Sequence, residues 1–296
     1  MHVENKVVII TGGASGIGKA LVERLVKHGA KVVIADMNAQ AGEELTMELN
    51  EGKEHKVAHF VQCDVTKSLQ LVSLFTAAEE HFGGLDILVN NAGLWEVSGP
   101  FFGIPGSVVD ADTIAAAHEE NTLRRVFPWK RLIEVDLVAV LEGTRIALDV
   151  FRKQGRGGLI INTASLQGVN ADPMVMTPAY VAAKFGVVGF TRNFKGLEQG
   201  LLYEGKYKGV RVNAIAPGTT DTAMLNPVRQ IIKDTRLQMQ TAEPVVDAFM
   251  MIIEDDSISG EIFKVTPEEG CVLVPAVDGA GLTGDARKAQ GLSRED

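Results

Sequence analysis

Tyr180-Val181-Ala182-Ala183-Lys184 sets a phenol and an ammonium four residues apart, which on a helix makes them neighbours on one face. A phenol ordinarily titrates at about pH 10, too high for a base near neutrality, and a cation beside it favours the phenolate. Alone, such a pair is common and usually a surface contact. Ser165 adds weight, because it follows the apolar run Leu159–Asn162 and its hydroxyl can reach the oxygen on which Tyr180 would act. A hydroxyl, a tunable phenol and a cation can together pass a proton to or from an alcohol or carbonyl oxygen.

A second constellation lies near the start. Thr11-Gly12-Gly13-Ala14-Ser15-Gly16-Ile17-Gly18 follows an apolar strand pattern and opens a helical one. Gly12 permits a tight turn, Gly16 lets the backbone approach a pyrophosphate, and Gly18 lets helix and strand pack closely. First-turn amides and the helix dipole then favour phosphate oxygens. Many α/β proteins need small residues at such a turn, so the glycines by themselves say little. Asp36, ending the next strand pattern, sharpens the reading. A carboxylate there accepts from the adenosine ribose hydroxyls and repels a 2′-phosphate, which favours NAD over NADP. A bound cationic nicotinamide would add to the pull of Lys184 on the phenol. Cys63-Asp64-Val65 and Asn90-Asn91-Ala92-Gly93 end two more strand patterns, at the sheet edge where such folds bind ligands. Asp64 is suited to the adenine amino group, and Asn91 and Gly93 to lining the cofactor with backbone. Each is also an ordinary turn residue.

These side chains need a scaffold that delivers them to one edge. Short β-branched runs alternate with longer helical patterns, which predicts an α/β fold: a doubly wound, mostly parallel sheet of Rossmann type in three α/β/α layers. Strands are expected over Lys6–Thr11, Lys31–Ala35, Val57–Gln62, Ile87–Val89, Leu159–Asn162, Val210–Ala214 and Ile262–Val265. Helices are expected over Ala39–Asn50, Lys67–His81, Lys130–Arg152, Tyr180–Gly200 and Glu243–Ile253, with Met250 and Met251 in the core. The 296 residues carry 29 Lys and Arg against 38 Asp and Glu, a formal charge of −9, with a sequence pI near 5.3. An acidic chain lacks the basic stripe of a nucleic-acid binder. No apolar run approaches a membrane span, and the start has no signal-peptide pattern. Cys63 and Cys271 are too few for a disulfide framework, and six scattered histidines suggest no metal. The expectation is a cytoplasmic protein with no membrane or nucleic-acid partner.

As a set, Thr11-Gly12…Gly16-Ile17-Gly18, Asp64-Val65, Asn90-Asn91-Ala92-Gly93, Ser165, Tyr180…Lys184 and Pro217-Gly218 closely resemble the short-chain dehydrogenase/reductase family, in its order, over about residues 5–266. Within it the chain looks most like the 15-hydroxyprostaglandin dehydrogenase branch. That likeness rests on 81–89, 186–192, 209–215 and Ile253-Glu254-Asp255-Asp256. The resemblance implies a hydride moved between a substrate carbon and a nicotinamide, with Tyr180 as acid and base, Ser165 on the reacting oxygen and Lys184 on the nicotinamide ribose. The implied cofactor set is Gly12, Ser15, Gly16, Ile17, Gly18, Asp36, Met37, Asp64, Val65, Asn91, Ala92, Gly93, Tyr180, Lys184, Pro217, Gly218, Thr220 and Thr222. Thr222 matches a threonine that contacts the carboxamide. The helices near Lys130–Arg152 and Tyr180–Gly200 correspond to the usual subunit contact, so a homodimer or homotetramer is implied.

Three departures bound the resemblance. Where the family carries an Asn that supports a proton relay, this chain has Asp136, which when ionised lacks the amide donor. Asp136 therefore joins Ser165, Tyr180 and Lys184 as a catalytic candidate whose effect on turnover stays open. Second, Thr177 stands where the prostaglandin enzymes carry a substrate-contacting Gln, while Gln167 lies nearby but out of alignment. Third, the connection over 94–128 is about twenty residues longer than usual. Trp95 and Trp129 bracket it, with Phe101, Phe102 and Phe127 between, beside acidic Glu96, Asp110, Asp112, Glu119 and Glu120 and basic Arg124 and Arg125. The aromatics suit a bulky apolar or aromatic alcohol or ketone, or else pin the insertion to the body or a partner. Gln167, Thr177 and Trp95 are the substrate candidates. One dinucleotide-binding unit over 1–274 with a polar tail at 275–296 is expected, and 219–241 suits a substrate loop. Two other readings stand beside an NAD-dependent dehydrogenase: a weakly active or inactive NAD-binding protein, and an NADPH-dependent carbonyl reductase.

Overall fold

A computed structural model describes residues 2–95, 128–171, 177–200, 203–234 and 238–276. The central strands are apolar on both faces, as a sheet covered by helices on both sides requires. Val7–Thr11 (β1) is buried throughout, and Gly158–Thr163 (β5) and Val210–Pro217 (β6) likewise. With Lys31–Asp36 (β2), Ala58–Gln62 (β3), Ile87–Asn90 (β4) and Ile262–Thr266 (β7) they run parallel in the order β3-β2-β1-β4-β5-β6-β7. Gly270–Leu273 (β8) joins the edge antiparallel to β7. The crossover from β3 to β4 around β1 puts the sheet's topological switch at the carboxyl ends of β1 and β4.

Helices cover both faces. Gly16–Lys27 (α1) packs with Glu243–Glu254 (α8) over one core containing Leu21, Leu25, Phe249 and Ile252. Ser68–Phe82 (α3) packs with the later helical rod over the other, containing Leu74, Leu148 and Phe151. Ala39–Asn50 (α2) is started by the Asn38 side chain, which accepts from Ala41 N at 3.1 Å. The rod begins as Pro128–Ile133 (α4), widens to a π-helical turn at Glu134–Val138, and continues as Ala139–Gln154 (α5). Pro178–Arg192 (α6) starts on a proline, whose missing amide a helix start does not need. Arg229–Asp234 (α7) is a short helix beyond β6. Among the described residues no helix is long and apolar enough to cross a membrane.

The expected strands are all present: β1 and β3 each start one residue later than expected, the other five run one to three residues longer, and β8 is new. It is a four-residue edge strand exposed at every position, so it carries no hydrophobic alternation to read. The expected helix Tyr180–Gly200 begins earlier and stops at Arg192; the chain then turns, with Gly196 at φ +88°. Phe101, Phe102 and Phe127, the charges of the insertion and the tail from 277 onward lie outside the described residues.

A buried polar chain locks the middle of the sheet. Asn90 Nδ2 donates to Asn162 Oδ1 at 2.9 Å, and Asn162 Nδ2 donates to Thr191 Oγ1 at 3.0 Å, joining β4, β5 and α6. Asn162→Ala removes the donor to Thr191 Oγ1 and leaves Asn90 Nδ2 with its longer bonds to Thr144 Oγ1 and the Val140 carbonyl at 3.2 and 3.4 Å, at a total cost of about 1–3 kcal/mol. Urea unfolding should therefore show a clearly lower midpoint at unchanged slope.

Candidate active site

Three side chains foreseen as reactive converge at the carboxyl edge of β5. Ser165 starts a short 3-10 turn, Leu166–Gly168, and its hydroxyl accepts from Gln167 N at 3.2 Å. It also hydrogen-bonds the Tyr180 phenol, which α6 turns toward it. Lys184, one turn further along α6, is only 3% exposed. Its Nζ donates to the Thr163 carbonyl at 3.0 Å and lies 5.5 Å from the centre of the Tyr180 ring. The helical spacing thus becomes a buried phenol–ammonium pair rather than a surface contact.

Asp136 completes the cluster from the opposite side. The π-turn aims its carboxylate inward, where it is fully buried. Such extra-wide turns are rare and gather at functional sites. Oδ1 accepts from Leu94 N at 2.7 Å, and Oδ2 faces Lys184 Nζ at 3.4 Å. Beyond that ion pair, Oδ2 has no hydrogen-bond partner. A Cβ added at Gly93 would lie 3.6 Å from both charged ends, so that glycine borders the pair.

The electrostatics follow from burial. Tyr180 is pushed above its ordinary value by loss of water, and Asp136 adds to that push, while Lys184 and Ser165 pull the other way. The simple expectation of a depressed phenol is therefore not met by the chain's own residues: Lys184 acts in the right direction and is outweighed. Burial draws the Lys184 ammonium down, yet Asp136 and Tyr180 more than reverse this and hold it above its usual value. Asp136 is raised by burial, against the opposing pull of Lys184 and the Leu94 amide.

The glycine turn sits beside this cluster. Gly12 and Gly16 adopt φ +64° and +53°, a region that disfavours other residues. Asn91 clamps the turn: its Nδ2 donates to Thr11 O and Gly12 O at 3.1 and 3.2 Å, and its amide and that of Ala92 donate to Thr11 Oγ1. The Asn91 side chain thus builds the turn. Ser15 is exposed and places no side-chain cap on α1, and Ile17 packs on the core. The first amides of that helix therefore meet no capping side chain, the arrangement a phosphate uses. Asp36 accepts from Ala14 N at 3.1 Å and from Asn38 N at 3.0 Å, which steadies its carboxylate at the end of β2. Pro217 ends β6, Gly218 N bonds Val265 O, and the Thr222 side chain stands over Gly16. Turn, carboxylate and uncapped helix fit a dinucleotide.

Asp64 is more constrained than foreseen. Oδ1 accepts from Thr66 N and Oγ1, and Oδ2 pairs with Arg131 at 3.1 Å. Burial raises this carboxyl, but Thr66 and Arg131 prevail and hold it below its usual value. Arg131 also reaches toward Met37 Sδ at 3.7 Å, and so covers the ends of β2 and β3 beside Val65. A surface-like Lys-Arg pair at the start of a helix held no signal for that role.

The substrate candidates are divided. Trp95 packs edge-on against Tyr180, 4.7 Å between ring centres, within a cluster of Trp129, Leu132, Ala179 and Ala183. Thr177 is buried at the start of α6 with an unpartnered hydroxyl, and Gln167 lies on the turn after Ser165. The loop after β6 is closed at its base by the pairing of Thr220, a foreseen cofactor residue, with Gln240, which sequence reasoning did not single out. Between them run a 3-10 turn, Ala223–Val228, and α7.

A family model described as short chain dehydrogenase matches residues 6–233. The human 15-hydroxyprostaglandin dehydrogenase [NAD(+)] is 36% identical over 286 residues, covering 91% of this chain and 94% of that protein. The 3beta-hydroxysteroid dehydrogenase 2 of Eggerthella lenta is 38% identical over 223 residues, 75% of this chain and 74% of its own. Among solved structures, the 3-ketoacyl-(acyl-carrier-protein) reductase from Brucella melitensis complexed with NADH has a TM-score of 0.69 at 25% identity, covering 89% of this chain and 97% of that one.

The tightest packing in the turn is open to test. A Cβ at Gly18 would sit 2.0 Å from Gly12 O, an overlap that only a displaced turn relieves. Gly18→Ala should cost about 1–3 kcal/mol and visibly lower the thermal midpoint.

Proposed function

This chain belongs to the short chain dehydrogenase family, and on that premise we propose that it interconverts a secondary alcohol and its ketone using NAD(H). The observation that carries the reading is the buried Ser165–Tyr180–Lys184 cluster next to an uncapped, glycine-rich helix start. When bound, the nicotinamide supplies the hydride acceptor for oxidation or the donor for reduction. Tyr180 takes the alcohol proton or returns it to the carbonyl oxygen, and Ser165 hydrogen-bonds that oxygen as its charge develops. Lys184, fixed by the Thr163 carbonyl, holds the nicotinamide ribose and supplies positive potential at the phenol. Gly12, Gly16 and Gly18 admit the pyrophosphate to the first turn of α1, and Asp36 holds the adenosine ribose. Met37, Val65 and the Arg131-held Asp64 border the adenine, and Gly93, Gly218, Thr220 and Thr222 border the nicotinamide.

A bulky apolar or aromatic substrate fits Trp95 and Trp129 beside Tyr180. Relatives named for a hydroxyprostaglandin and a hydroxysteroid accord with it. Thr177 and Gln167 are the polar groups suited to fixing its orientation. The continuous sheet supports one catalytic unit over 1–274. Exposed Val138 and Leu141 on the helical rod and Phe185 on α6 suit burial in a homodimer or homotetramer.

Tyr180→Phe should retain NADH binding by fluorescence titration, yet lose about 10²–10⁴-fold in turnover across a panel of secondary alcohols. Retained turnover would remove the phenol from the mechanism. Asp36→Ala should weaken NAD far more than NADP, narrowing the preference by about tenfold or more; an unchanged ratio of kcat/KM values would refute its selectivity.

A further inference from the structure

We propose that the buried carboxylate of Asp136 tunes the reaction by cancelling part of the charge of Lys184, keeping the Tyr180 phenol protonated to higher pH than a neutral residue at that position would. The proposal rests on the proton-transfer reading of Tyr180 above.

The geometry directs this carboxylate at the lysine beside the phenol. It is fully buried, and α6 and the helical rod bring Oδ2 to 3.4 Å from Lys184 Nζ. Oδ1 is satisfied by the Leu94 amide, and Oδ2 has the Lys184 ammonium as its one partner among the described residues, so the carboxylate's charge is directed at that lysine. In a water-poor site each charge is felt strongly by its neighbours. Among the described residues, the charged or titratable groups facing Tyr180 are Lys184 on its own helix and Asp136 across from it. The uncharged groups beside the phenol are the Ser165 hydroxyl from the 3-10 turn and the Trp95 ring, while the Thr163 carbonyl and the Leu94 amide hold Lys184 and Asp136.

The consequence is directional. Oxidation of an alcohol needs the phenolate, which takes the hydroxyl proton as the carbon gives up its hydride to the nicotinamide. Reduction needs the phenol, which returns that proton to the carbonyl oxygen. An anion at 136 favours the phenol, so it supports ketone reduction over a wider pH range and delays alcohol oxidation to more alkaline conditions. Asp136 is in this sense a positioning residue that acts through Lys184.

The test reads Tyr180 without requiring turnover. Tyrosinate ultraviolet absorbance is followed against pH in the wild type and in Asp136→Asn. Each is compared with its own Tyr180→Phe counterpart, so that the other two of the three tyrosines subtract out. The onset of Tyr180 ionisation should move to lower pH in Asp136→Asn. In parallel, oxidation of a secondary alcohol at pH 7 should rise about tenfold in that variant, and ketone reduction should begin to fall at lower pH. An unchanged or higher onset overturns the proposal, as does activity lost equally at every pH. Should Asp136→Asn fail to fold, Asp136→Ser removes the same charge and carries the same expectations. If the wild type turns over no alcohol or ketone, the functional reading fails while the absorbance titration still decides the role of Asp136.

Discussion

An ammonium taken out of water must find compensation inside the protein, and at Lys184 that requirement organises the whole site. Its partners are the Thr163 carbonyl at the end of β5 and the Asp136 carboxylate on the facing helical rod. Leaving either out would strand a buried charge, a cost of several kcal/mol by general experience with such pairs. Strand end, helix and rod therefore hold a common arrangement. Tyr180, one turn before the lysine, inherits its position and its potential from it.

The rod has to bend its own rules to reach this point. Between α4 and α5 the backbone opens into a π-turn, and Asp136 lies at its centre. The wider turn places the carboxylate next to Lys184 and within reach of the Leu94 amide, so that β4 is tied in as well. The same region carries Arg131, which pins Asp64 on the far side of the sheet edge. A single rod thus borders both the reactive end and the adenine end of the proposed cofactor groove. The glycine turn closes the groove because Asn91 holds Thr11 and Gly12 by side-chain bonds, and Gly18 lets α1 approach without a clash.

Much of the frame was readable in advance. Strands buried on both faces show as unbroken apolar runs, and β1, β5 and β6 appear where those runs lie. The end of α6 and the presence of β8 were not, since the first depends on a turn through Gly196 and the second is a short exposed edge. Ser165, Tyr180 and Lys184 could be picked out by type and spacing, and the structure gathers them. The roles of Arg131, Gln240 and the Asn91 side chain had no local signature. Each depends on a partner distant in the chain: Asp64, Thr220, or the carbonyls of Thr11 and Gly12.

The sequence by itself determined the layers of the fold, the glycine turn, the carboxylate at the end of β2 and the family to which the set of motifs belongs. All of these rest on local periodicity, or on residue types demanded at fixed places along a strand or a turn. Tertiary structure alone decided the balance of charge around Tyr180. The spacing to Lys184 argued for a lowered phenol, but spacing does not register burial, nor a carboxylate arriving from 44 residues earlier. Desolvation and Asp136 together outweigh the lysine because all three groups share one dry pocket, and that is a property of the packed chain.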